Sequence, residues 1–164
     1  MSDLNRLKIT RRHLFALLGR GGAAAAVVMG SGVINPSTTH ADGHGATMRA
    51  IKQHMGAEDY TQSSMVKIDA PIIAENGSVV PIKVTVDYPM EADNYIEKIA
   101  LFVDNNPTPF ASSYTLSPAN GKAYVSARLK IGKTSQVRAV ARTNSGRLIG
   151  TAKEVKVTIG GCGG

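Results

Sequence analysis

Tryptophan is absent from the 164 residues, aromatic side chains make up only 5%, and there is a single cysteine. One cysteine cannot form a disulfide within the chain, so no covalent staple supports the fold. With few aromatic rings, a core must rest on Val, Ile, Leu and Ala, and a hydrophobic content of 43% is enough to build one. Beyond the first segment basic and acidic residues nearly balance. Five of the 19 Lys and Arg (Arg6, Lys8, Arg11, Arg12, Arg20) and one of the 12 Asp and Glu (Asp3) precede residue 42, so the formal charge of +7 falls to +3 after it. The basic residues after position 120 alternate with apolar ones, as on the solvent side of a strand. That pattern argues against nucleic acid, which needs a clustered basic face. Metal and haem motifs are missing too. Beyond residue 41 the only histidines are His44 and His54, read as ordinary surface or core residues, and no cofactor is expected.

Residues 1–41 read as a targeting segment. A basic stretch ends in Thr10-Arg11-Arg12-His13-Leu14-Phe15, and an Ala- and Gly-rich stretch follows from Ala16 to Val33. Thr39-His40-Ala41 offers small residues where a signal peptidase reads them. The pair Arg11-Arg12 before Leu14-Phe15 resembles a twin-arginine signal. The apolar stretch is weak and carries Arg20, Gly21 and Gly22. Its uninterrupted part, Ala23 to Met29, is far too short to anchor the chain in a membrane. The expected location is therefore the periplasm, reached in the folded state and without stable membrane association.

The remaining 123 residues suit one small domain. Asp42 to Gly45 reads as a flexible start. Met48, Ile51 and Met55 have helical spacing, so segment 42–65 is expected to contain a short helix between Ala46 and Met55. From residue 66 to 159 the period becomes two. Val80, Ile82, Val84 and Val86 alternate with Pro81, Lys83, Thr85 and Asp87. Ala123, Val125, Ala127, Leu129 and Ile131 do the same, as do Val137, Ala139 and Ala141, with Arg138 and Arg142 on the opposite face. Ile99, Leu101 and Val103 form another such face, and Val155, Val157 and Ile159 the last. Turn signals at 75–77, 104–107, 118–121 and 144–146 separate the runs. The expected fold is all-β, an immunoglobulin-like antiparallel β-sandwich, with Pro81 and Pro109 marking edge strands.

After Ile159 come Gly160-Gly161-Cys162-Gly163-Gly164. Glycine loses the most conformational entropy on ordering, so four of them around one thiol predict a mobile arm, residues 160–164, extending at most about 17 Å. Such an arm is thin enough to enter a narrow cleft. Nothing adjacent in sequence would lower the thiol's pKa, because Lys156 lies on the strand and the terminal carboxylate opposes a thiolate. Cys162 therefore reads as a point of covalent substrate attachment, with Gly160, Gly161, Gly163 and Gly164 as its tether and the catalytic groups on other proteins.

The ending Lys153-Glu-Val-Lys-Val-Thr-Ile-Gly-Gly-Cys-Gly-Gly164 resembles the SoxY family, the sulfur-carrier subunits of bacterial thiosulfate oxidation. Ala70-Pro-Ile-Ile-Ala-Glu-Asn-Gly77 with Val79-Val-Pro81, and Ser117-Pro-Ala-Asn-Gly-Lys122, are similar to the same family. The resemblance runs from about Ile68 to Gly164, and 42–67 matches only loosely. It implies that a cytochrome joins thiosulfate oxidatively to Cys162 and that a hydrolase releases sulfate. A sulfane dehydrogenase then oxidises the sulfur left behind. It also implies a heterodimer with a SoxZ-like subunit that has no leader of its own, which would explain folded export of a chain without a cofactor.

Two other readings stay open at this point. Cys162 could be the nucleophile of a thiol oxidoreductase or sulfurtransferase, which would need a base or cation that the neighbouring sequence does not supply. It could instead cross-link a structural β-sandwich, which would leave the four glycines unexplained.

Overall fold

The computed structural model describes residues 43–159. Among these residues one α-helix, α1 (Gly43–Met55), precedes nine strands. Along α1, Thr47, Ile51 and Met55 recur every four residues and are all buried, which is the stripe a helix needs to pack on a sheet. The helix starts earlier than the sequence suggests. Gly43 to Gly45, expected as a flexible start, form its first turn, where His44 Nδ1 lies 3.1 Å from Arg138 Nη2. It ends at Gly56, whose φ of 93° is left-handed and whose N–H returns to the Lys52 carbonyl at 2.9 Å.

The strands are β1 (Thr61–Gln62), β2 (Val66–Asp69), β3 (Ile73–Asn76), β4 (Val80–Val86), β5 (Ile96–Val103), β6 (Phe110–Thr115), β7 (Ala123–Leu129), β8 (Ser135–Thr143) and β9 (Leu148–Ile159). They form two sheets. The larger has the order β1-β9-β8-β5-β6, with β3 also on β9, and the smaller has the order β2-β4-β7. The alternation read from the sequence is what lets the sheets pack. Val80, Ile82, Val84 and Val86 of β4 and Ala123, Val125 and Leu129 of β7 face Ile99, Leu101, Val103, Val137, Ala139 and Ala141 of the larger sheet. Each fully buried Val, Ile or Leu contributes about 1.5–3 kcal/mol. This is the expected all-β, immunoglobulin-like sandwich with a short N-terminal helix.

The pairing is not antiparallel throughout. β1 and β3 both run parallel to β9, with Thr61 opposite Ile149 and Ile73 opposite Lys156. Pro81 is also placed differently from expectation, in the central strand β4 of the smaller sheet. It is tolerated because the β2 ladder stops at Asp69 opposite Lys83, leaving β4 locally an edge at Pro81. Pro109 precedes the edge strand β6, and its carbonyl accepts the Val103 N–H at 2.8 Å.

The larger sheet is covered on its second face as well. Ala100 and Phe102 of β5, Val140 of β8 and Leu148 of β9 pack against Ile51 and Met55 of α1. The His54 ring stacks on Phe110 at a centroid separation of 3.6 Å. This cover changes the setting of Arg138, which alternation places on the solvent side. Its side chain is 13% exposed and that of Asp104 8%. The guanidinium donates to Asp104 from Nε at 2.8 Å and from Nη2 at 2.7 Å, and from Nη1 to the Tyr60 hydroxyl at 3.0 Å. Those bonds to Asp104, helped by Tyr60, hold the guanidinium charged and raise its pKa against the opposing effect of burial.

Candidate functional site

β9 is the longest strand, and it changes neighbours along its length. From Leu148 to Val155 it pairs with β8; from Lys156 to Ile159 it pairs with β3. Successive N–H groups of an extended strand point to opposite edges. The Lys156 N–H donates to the Ile72 carbonyl at 2.9 Å and the Val157 N–H to Thr134 Oγ1 at 3.0 Å. The strand therefore leaves the sheet held on both sides, by β3 on one edge and by the residue before β8 on the other. The Thr158 hydroxyl adds a bond to the Glu75 carbonyl at 3.3 Å. Cys162 follows Ile159 by three residues, a reach of about 10 Å. Cys162, the arm glycines Gly160, Gly161, Gly163 and Gly164, and the leader pair Arg11 and Arg12 lie outside the described residues. What the structure supplies is the root of the arm.

The titratable side chains nearest that root are Glu75 on β3, whose carbonyl takes the Thr158 hydroxyl, and Lys156 on β9 itself. A cleft of about 520 Å³ opens between the turn after β5 and the loop before β8, lined by Asn105, Asn106, Thr108, Lys130 and Lys133 among others. It adjoins Thr134, the partner of Val157, but its lining includes no carboxylate and no histidine. The asparagines are occupied in holding the loops together, Asn105 Nδ2 on the Thr134 carbonyl and Asn106 Nδ2 on the Lys130 carbonyl, both at 2.8 Å. His54 stacks over β6, three strands from β9, or about 14 Å at the usual strand spacing. His44 contacts Arg138, which pairs with Ala152, seven residues and roughly 23 Å up the strand from Ile159. No group of three or more His, Cys, Asp or Glu among the described residues is placed to hold a metal ion.

Among the described residues, then, a β-sandwich secures β9 on both edges up to three residues before the single cysteine of the sequence. Comparison with known proteins gives the class of the chain, a sulfur carrier. The family model of sulfur oxidation protein SoxY matches residues 51–162, a span that ends on Cys162. The sulfur carrier protein SoxY from Chlorobium limicola f. thiosulfatophilum is 31% identical; the alignment covers 71% of this chain and 96% of that one, with a TM-score of 0.62. A superoxide reductase (neelaredoxin) from Ignicoccus hospitalis is 26% identical over 57% of this chain and 80% of its own, with a TM-score of 0.51, and shares the sandwich. No curated protein sequence matches. The chain belongs to the SoxY family of sulfur carriers.

Proposed function

We propose that this chain is a periplasmic carrier that holds sulfur intermediates covalently on Cys162 and swings them on Gly160–Gly164 into the active sites of partner enzymes. The observation that carries the reading is the end of β9, fixed by β3 and Thr134 a few residues before the cysteine at which the family match ends. A rigid root and a side-chain-free tether together give a thiol of defined reach and minimal width.

The chemistry follows from a single thiol. In loading, the Cys162 sulfur bonds to the outer sulfur of thiosulfate, giving a Cys–S–S–SO₃⁻ adduct. The thiol proton is released and two electrons pass to a cytochrome. Hydrolysis then cleaves the S–SO₃ bond, releasing sulfate and leaving a persulfide on Cys162. A sulfane dehydrogenase oxidises that sulfur to a sulfonate, three waters supplying the oxygens while their protons are released and six electrons pass to a cytochrome acceptor, and a second hydrolysis releases a second sulfate and restores the thiol. The carrier supplies no acid or base in this cycle. It pairs with a SoxZ-like subunit, and the Arg11-Arg12 leader exports the two folded together. Cys162→Ser should abolish thiosulfate-dependent respiration while leaving the fold and the heterodimer intact. A Cys162→Ser strain that still oxidises thiosulfate overturns the proposal.

A further inference from the structure

Four large apolar side chains are conspicuously exposed among the described residues, and three of them, Ile72 (69%), Ile73 (56%) and Val79 (58%), fall within one eight-residue stretch. That stretch is the bend at Ile72, then β3, which pairs with the last residues of β9, and the turn leading to β4. β3 has one edge closed by β9, and no other strand pairs with it among the described residues. Apolar side chains on a sheet edge invite association and persist where a partner covers them for part of the working cycle. The fourth exposed residue, Tyr124, lies on β7 in the other sheet, opposite Thr85, five residues up β4 from Val80.

We infer that Ile72, Ile73 and Val79 form an apolar collar at the arm's root that docks against the mouth of each enzyme receiving the arm. This rests on Cys162 being the loaded residue. The occupant follows from reach. The Cys162 Cα extends only about 10 Å past Ile159, so an enzyme whose reactive groups lie inside a cleft must press its rim against the residues around Ile159. Ile73 and Asn76 are the β3 residues in register with Lys156 and Ile159. A permanently bound subunit seated there would occupy the space that the rim needs. The enzyme rims should accordingly be apolar, and enzymes acting at successive stages should compete for the same collar.

The test uses the complete heterodimer, loaded with thiosulfate on Cys162, and measures sulfate release by the hydrolase over a range of carrier concentrations. Ile73→Ser combined with Val79→Ser should raise the KM for carrier by about tenfold with kcat nearly unchanged. Labelling of Cys162 by a small thiol reagent and assembly with the second subunit should stay as in the wild type. Ile73→Thr, which preserves strand propensity, should shift KM in the same direction, and Tyr124→Ser should leave it alone. An unchanged KM in the Ser and Thr variants overturns the collar. So does loss of the heterodimer, which would assign the patch to the permanent subunit. Failure of the carrier reading itself shows separately, as sulfate release from a Cys162→Ser heterodimer in the same assay.

Discussion

Gly150, on β9, has no room for a side chain. A Cβ there would lie 2.7 Å from the Tyr60 ring and 2.8 Å from the Ala139 carbonyl oxygen. The ring can shift, but the carbonyl belongs to β8 and is fixed by the ladder in which Val140 lies opposite Gly150. Gly150→Ala should therefore destabilise the domain by about 1–3 kcal/mol, read as a lower thermal or chemical midpoint. Adding Tyr60→Ala should relieve only part of the loss. A Gly150→Ala protein as stable as the wild type would contradict this packing. Neither Gly150 nor the pairing of Arg138 with Asp104 can be read locally. Arg138 sits at a position that alternation assigns to solvent, and its carboxylate partner is 34 residues away. Tyr60 and His44, both in contact with the guanidinium, help convert a surface arginine into a half-buried one. Cys162 stands out in the sequence for the opposite reason, because its glycine neighbours make no sense as packing, and it lies outside the described residues.

At the scale of elements, β4 and β7 were readable because each buries one face, so the period of two survives in the sequence, and β8 keeps that period except at Val140, which is buried under α1. β5 is different. Ile99, Leu101 and Val103 face the sandwich while Ala100 and Phe102 face α1, so the run is apolar throughout and its second face is explained only by the helix. The parallel strands β1 and β3 left no signal, since strands of two and four residues joined to β9 across most of the chain have no hairpin turn to announce them. Yet β3 is what fixes the origin of the arm. If the root is rigid and the tether flexible, the tether's length sets where the thiol arrives. Deleting Gly160 and Gly161 together should withdraw the thiol by about 7 Å. Misplacement of about 1 Å can cost roughly a hundredfold in rate. Turnover with partner enzymes should fall sharply, while stability and labelling by a small thiol reagent stay unchanged. Wild-type turnover in the deletion variant would mean that partners reach Cys162 without a swinging arm.

For the whole molecule, the design separates a stable sandwich from the chemistry at its end. The core of Val, Ile, Leu and Ala that the sequence promised closes without a disulfide, and in the proposed function the only thiol of the sequence is kept for substrate. The proposal adds folded export, with assembly with a second subunit preceding translocation. Replacing Arg11 and Arg12 together with Lys should hold the protein in the cytoplasm, and normal periplasmic maturation of that variant on fractionation would remove the twin-arginine route from the account. The central claim, that Cys162 carries the sulfur, is tested most directly by intact-mass spectrometry of the heterodimer purified from thiosulfate-grown cells. The wild-type chain should appear as a family of masses offset by sulfur and sulfonate groups that collapses to the free thiol on reduction, and Cys162→Ser should give one unmodified mass under the same conditions. A single unmodified wild-type mass, or adducts that persist in Cys162→Ser, would contradict it.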